Sequence, residues 1–428
     1  MKIFANKLTE VKDAILSKGF LHLFLSNAFI FFLGFIVQLF VAYILLPEDI
    51  GRIKFLQVFM LMGGIVSGLG FNTAIQKLCS EKRAEGEKVF LLKKAIKYSL
   101  ITSFIVYLIV LSFSKFNLFS NDYIANRILP IYSIVLLPQT IYMLLMSYME
   151  ARKMVKSLST IQAITKLLSL VLIIIPTYYF LFIGYVVGYV AGLIITAIVF
   201  YNFISKTLHN IPPIIIDNPF SIHWHYAKYS LLINVLNVIN LNIDIFFINY
   251  LITDRSIIGY YSFAATLLVS LYLITTTIQQ ITTPYFSERA NEVDEWNRIF
   301  KKYNHIQNLF ALVTMILSII IGPFMITLIF GGKYDNSIPF FLMLVVGWFL
   351  RNLYTLKVVA IFGSGNIKIN FYAFFISTII GIILTYFLII GFGIYGAGYA
   401  NIAVGFITFL IISLHFKEFK AKQIGQNL

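Results

Sequence analysis

Twelve separate runs of apolar residues, each long enough to cross a membrane as a helix, constrain this chain more than any other feature. At 1.5 Å per residue, about 20 residues of helix cover the roughly 30 Å of bilayer hydrocarbon. Such runs lie at 20–46, 53–78, 95–114, 124–148, 158–180 and 181–204, and again at 226–251, 259–285, 304–330, 338–362, 368–390 and 392–416. In lipid every backbone N–H and C=O must be bonded within the chain, and for runs of this length the helix achieves that. Only 12% of the residues are charged, half the roughly 25% usual in a soluble domain. The expectation is an all-α integral membrane protein of about 12 transmembrane helices.

Lysine and arginine concentrate on the cytoplasmic side of short loops, so their distribution predicts orientation. Placing the N-terminus in the cytoplasm puts 24 of the 33 basic residues on that side. Six go to the other side: Arg52, Lys54, Lys115, Arg127, Arg255 and Lys333. Lys166, Arg351 and Lys357 fall within helices. Both termini are therefore expected in the cytoplasm, and the net charge of +15 reflects topology rather than affinity for nucleic acid. Residues 1–19 alternate apolar positions at helical spacing with lysines, which suits the anionic inner leaflet, and they lack a small-residue cleavage site. The single cysteine, Cys79, excludes an internal disulfide and a multi-cysteine metal cluster.

The chain repeats itself. Glu48 to Glu81 lies over Asp254 to Glu288 at an offset of 208 residues, with Ile50-Gly51 matching Ile258-Gly259. A second match pairs Tyr185, Gly188 and Tyr189 with Tyr395, Gly398 and Tyr399 at an offset of 210. Two six-helix halves follow, at 20–204 and 226–416, with 205–225 as a cytoplasmic linker and 417–428 as a tail. Because six is even, both halves run in the same sense, one of the repeat architectures of secondary transporters.

These residues carry a family likeness. The segment LLPEDIGRIKFLQ leading into GLGFNTAI, IIGYYSFAATLL leading to TTPYFSE, EARKMVKS and GIYGAGYAN resemble the polysaccharide (O-antigen, Wzx-type) flippases of the multidrug/oligosaccharidyl-lipid/polysaccharide exporter superfamily. The resemblance implies two pseudo-symmetric lobes around a central cavity. They would alternate between inward-open and outward-open states in the bacterial inner membrane to move an undecaprenyl-diphosphate-linked oligosaccharide. It implies no cofactor, membrane lipids as surroundings, and glycosyltransferases and a polysaccharide polymerase as the enzymes that make and consume the cargo.

Polar residues inside the apolar runs are the candidate site. The stretch INVLNVINLNIDIFF at 233–247 places Asn234, Asn240 and Asp244 within about 60° of Asn237 on one helical face, whereas Asn242 lies off it. Its repeat partner carries Asn27 and Gln38 on one face of the first run. Doubled in this way, the stripe reads as cavity lining more readily than as amides tying helices together. Arg351, with Asn352 beside it, sits too deep to reach the interface and suits an anionic diphosphate. Lys357 and Lys166 lie nearer the cytoplasmic end, where snorkelling is the simpler expectation. Asp244, the one acidic residue deep in a run, is a candidate for coupling to a proton or sodium ion. Pairing with Arg351 is the competing expectation.

Other motifs carry less. GFGIYG at 391–396 fits G-x-G-x-x-G but follows no strand, so it reads as a tight turn. Gly184, Gly188 and Gly192, and likewise Gly64 and Gly68, fit small-residue packing inside the bundle. His223 and His225 alternate without a third ligand, so they read as an interfacial anchor with Trp224 and Tyr226 rather than a metal site. Glu292 and Asp294 read as a solvated loop. No phosphate-binding loop and no partnered nucleophile appears, so transport rather than catalysis is expected. Two alternatives stand beside the flippase. One is a cation-coupled multidrug exporter of the same fold. The other is a polysaccharide polymerase or ligase, disfavoured because the longest expected outer loop spans only 115–123.

Overall fold

The computed structural model describes residues 32–289 and 292–425, which are helical with short connections and contain no strand. In chain order the helices are α1 (Phe32–Ile44), α2 (Pro47–Ser67), α3 (Phe71–Ser80), α4 (Glu85–Lys115), α5 (Tyr123–Ser133) and α6 (Leu136–Ala151). They continue as α7 (Val155–Leu208), α8 (Pro219–Leu251), α9 (Arg255–Leu268), α10 (Tyr272–Glu288), α11 (Val293–Phe330), α12 (Ile338–Gly363), α13 (Ile367–Phe392) and α14 (Ile394–Gly425). Each expected apolar run falls on helix, the first of them described only from Phe32. The Asn27 and N-terminal amphipathic readings lie outside the described residues.

Several crossings are not single rods. The second breaks between α2 and α3 at Gly70, which takes a left-handed φ of 68°. The fourth bends by 48° between α5 and α6. One turn of 3-10 helix, Val269–Leu271, joins α9 to α10. The long α7 is a hairpin: its backbone reverses at Leu181, with φ 52° and ψ −131°, and Gly393 turns α13 into α14 with nearly the same angles, φ 58° and ψ −142°.

These two hairpins correct the register of the second repeat match. A Cβ on Gly184 would sit 1.9 Å from the Pro176 carbonyl oxygen, and one on Gly396 would sit 2.0 Å from that of Leu388. The equivalent pairs are therefore Leu181 with Gly393 and Gly184 with Gly396, an offset of 212 rather than 210. The Gly-Tyr letters misled because they face different surroundings: Tyr185 is fully buried, whereas Tyr395 and Tyr399 are exposed on the outside of the bundle. The glycines of α7 serve the hairpin itself, as expected of small-residue packing. The linker is shorter than expected, since α7 runs to Leu208 and α8 begins at Pro219.

The core is distributed unevenly between the two ends of the bundle. At the end carrying the α1–α2, α4–α5, α8–α9 and α11–α12 connections, one apolar cluster runs through both lobes, from Val41 and Leu45 through Ile53 and Leu56 to Ile258, Phe263, Phe330 and Trp348. Toward the other end, rich in charged loops, separate clusters form. One centres on Phe71, Leu92, Tyr148 and Phe200 of the first lobe and takes in Ala227 of α8, and another centres on Phe286, Trp296, Phe300 and Phe416 in the second. Gly51 lies against Gly259, its mate 208 residues on, so the pseudo-twofold axis passes between them. A Cβ on Gly259 would sit 1.9 Å from the Pro47 carbonyl oxygen, so only glycine permits this approach.

Candidate functional site: a cavity between the lobes

The start of α2 explains the roof of the site. Pro47 occupies the first turn with Glu48 and Asp49 beside it, residues that favour a helix N-terminus. The helix therefore begins six residues before the apolar run read from the sequence. Arg52 ends up within the helix at the closed end, where its Nε lies 2.8 Å from Asp122 and its Nη1 2.7 Å from Asp49. Asp122 also caps α5 by accepting from the Ile124 and Ala125 amides. Arg255 of the other lobe lies 3.9 Å from the same carboxylate.

Crossed caps complete the seal. Lys333, in the α11–α12 connection, donates to the carbonyls of Ala42, Tyr43 and Leu45 at the end of α1. Tyr334 donates to Ala42 at 3.0 Å. In the equivalent place Asn121, between α4 and α5, donates to the Tyr250 carbonyl at the end of α8. Each lobe thus satisfies orphan carbonyls of the other, and Ser256 donates to the Glu48 carboxylate across the axis.

Beneath the seal lies a cavity of about 320 Å³, walled by Gln38 of α1, Lys54 and Gln57 of α2 and Lys166 of α7, and faced by Thr266 and Ser270. A side pocket of about 230 Å³ extends from Lys166 into the first lobe, past Gln162, Thr165 and Tyr142 to Tyr189. Gln57 donates to the Tyr185 hydroxyl at 2.8 Å, and Tyr185 and Tyr189 stack 6.0 Å apart. Neither Lys54 nor Lys166 makes an ion pair or hydrogen bond among the described residues. Lys54, counted with the outer side at the edge of the 53–78 run, is a cavity residue because α2 starts early. Lys166 does not snorkel: its side chain lies against Gly34, and the residue lines both spaces.

The stripe on α8 is placed differently along its length. Asn234 donates to Ser230 at 3.4 Å, and Ser230 lies 2.8 Å from Thr73 of the first lobe, so this end meets the lobe interface. Asn237 is half-buried. Asn240 is buried with its amide 3.4 Å from Ser377, and Asn242 donates to the Val238 carbonyl at 3.0 Å. Asp244 is buried, accepting from the Tyr261 hydroxyl and from the Ile245 amide at 2.9 Å. The upper half of the stripe therefore faces partners inside the second lobe.

Arg351 is 4% exposed, with Nη1 donating to Asn401 at 3.1 Å. It forms no ion pair with Asp244, so the expected pairing is not made. Asn352 donates to the Trp348 carbonyl at 2.8 Å, and the Asn352 carbonyl accepts from Gln307 at 2.9 Å. Lys357 donates to Ser413 at 2.7 Å and lies 4.5 Å over the Phe409 ring, held between α12 and α14. His223 is no interfacial anchor: it is fully buried, 3.1 Å from the Leu91 carbonyl. Its neighbours Trp224, His225 and Tyr226 remain exposed. The described residues hold no cluster of three metal-ligating side chains.

Solved structures share this architecture. A lipid II flippase, MurJ, in an inward closed conformation superposes with a TM-score of 0.76 at 16% identity, covering 94% of this chain and 91% of that one. An inward-facing multidrug resistance MATE family transporter of the MOP superfamily gives 0.69 at 13% identity, over 94% of this chain and 96% of the other. The eukaryotic MATE transporter AtDTX14 gives 0.69 at 12%, over 98% and 99%. The fold is thus the two-lobe transporter fold of twelve membrane helices. No curated protein sequence matches the chain. The family model described as polysaccharide biosynthesis protein matches residues 17–339, and the chain belongs to that family.

Proposed function

We propose that the protein is a flippase that carries an undecaprenyl-diphosphate-linked oligosaccharide across the bacterial cytoplasmic membrane for surface polysaccharide assembly. The observation that carries this reading is the pair of lysines, Lys54 and Lys166, which make no ion pair or hydrogen bond among the described residues and are set with Gln38 and Gln57 in a cavity between the two lobes. An ammonium in the membrane costs roughly 2.5–3.5 kcal/mol on insertion scales, and an anion bound between two of them offsets that cost. A diphosphate supplies the anion, and amides and tyrosines suit the hydroxyls and ring faces of sugars.

The charge bias supports placing the sealed end outside, and on that reading the cavity is closed outward. Separation of the lobes at Gly51–Gly259 and release of the crossed caps would open it there, giving alternating access. The same two lysines oppose the multidrug reading, because cationic drugs would meet like charge. The test is loss of the gene product in its own cells. Surface glycan should disappear while lipid-linked oligosaccharide accumulates facing the cytoplasm; unchanged surface glycan would overturn the reading.

A further inference from the structure

The cavity has a second arm of opposite character. Phe35 and Ser270 line both the polar cavity and a groove of about 230 Å³ that continues between α1, α9 and α11. Its walls are apolar: Leu39, Leu267, Met325 and Ile329 among them. The one polar side chain, Ser270, donates its hydroxyl to the Leu267 carbonyl at 2.8 Å and offers the groove little. Met325 and Ile329 are 40% and 41% exposed, so the groove opens sideways on the outside of the bundle, where the bilayer lies.

We propose that this groove seats a segment of the substrate's isoprenoid chain while the diphosphate lies against Lys54 and Lys166. The inference rests on the flippase reading, because it needs a cargo that is polar at one end and hydrocarbon at the other. Such a cargo cannot leave its tail in a cavity lined by lysines and glutamines. A tail in bulk lipid must still reach a head group held between the lobes. The groove joins those two places without passing a charged side chain. Its volume falls just below the about 300–1,000 Å³ of a small-molecule site, so it holds part of the chain and leaves the rest in lipid.

Position adds a consequence. The groove uses residues 322–330 of α11, the last turns before the sealed end. The tail therefore lies in the half of the membrane toward which the head group has yet to move. Opening of the seal would release the head group beside a chain already in place.

A photoreactive benzophenone amino acid in place of Ile329 tests this in the full chain, in cells that make the glycolipid. Ile320, 67% exposed and nine residues earlier on the opposite face of α11, is the control site. On illumination, adducts bearing the polyprenyl-diphosphate glycolipid should form at position 329 roughly tenfold more than at 320. Equal yields at the two sites, or phospholipid adducts alone at both, would overturn the groove assignment. Loss of surface glycan on deleting the gene, together with equal adducts, fails the groove but keeps the flippase. Intact surface glycan on deletion fails the flippase itself. A second variant, Ser270→Trp, fills the groove mouth and should lower glycan export at normal membrane abundance; wild-type export by this variant would overturn the groove assignment.

Discussion

The two lobes share one six-helix pattern but treat membrane-embedded charge in opposite ways. In the first lobe Lys54 and Lys166 reach an open cavity. Their repeat mates in the second lobe are Ser262 and Thr378, both buried, with Thr378 donating to the Leu236 carbonyl at 3.3 Å. The second lobe keeps its own charges inside: Arg351 against Asn401, and Asp244 under the Tyr261 hydroxyl. Pseudo-symmetry of the backbone therefore does not extend to electrostatics. The cavity is positive from one side, and an anionic head group would be held by the first lobe while the second moves against it.

Substitution can break that contrast. The largest effect is expected from Lys166→Glu, which reverses a charge exposed to both pockets: surface glycan should fall at least about tenfold at unchanged membrane abundance. Wild-type glycan display from this variant would remove Lys166 from the site. Arg351→Ala should act through the fold instead. It strands Asn401 and removes a positive charge that, like Lys54, acts on Asp244, a loss of about 1–3 kcal/mol that thermal unfolding of the purified protein should register. Normal stability with abolished export would place Arg351 in the binding machinery after all. Asp244→Asn can still accept from Tyr261 but cannot titrate, so a coupling role predicts a folded protein whose export no longer follows the ion gradient. Unchanged gradient dependence would leave Asp244 structural. The smallest effect belongs to the seal. Lys333→Met removes one ammonium from three carbonyls, and cysteine labelling near Tyr43 should rise about two- to tenfold, on the scale of one ordinary net hydrogen bond.

Much of the fold was legible because the bilayer sets one length scale, and twelve apolar runs of that length leave few alternatives. Breaks at Gly70 and between α5 and α6 were not, since a run of apolar residues looks alike whether straight or bent. The site was less legible. Gln38 could be placed because its polarity stood out within an apolar run. Lys54 was missed because the run was cut at Arg52, which left Lys54 at its outer edge, although Pro47, Glu48 and Asp49 already marked an earlier start. The asparagine stripe shows the reverse failure: helical phase puts Asn240 and Asp244 on one face, but only tertiary contacts reveal that Ser377 and Tyr261 wait there rather than water. Lys166 and Lys357 looked equivalent in sequence and differ because α7 borders the cavity while α12 and α14 enclose Lys357.

The most direct measurement is transfer of a lipid-linked oligosaccharide in proteoliposomes, read as glycan made accessible to an external lectin or glycosidase. Wild-type protein and Lys357→Gln should both expose glycolipid initially confined to the inner leaflet. The double variant Lys54→Gln with Lys166→Gln, reconstituted to equal density, should expose no more than protein-free vesicles. Transfer by the double variant at the wild-type rate would contradict the claim that the first lobe's lysines hold the diphosphate.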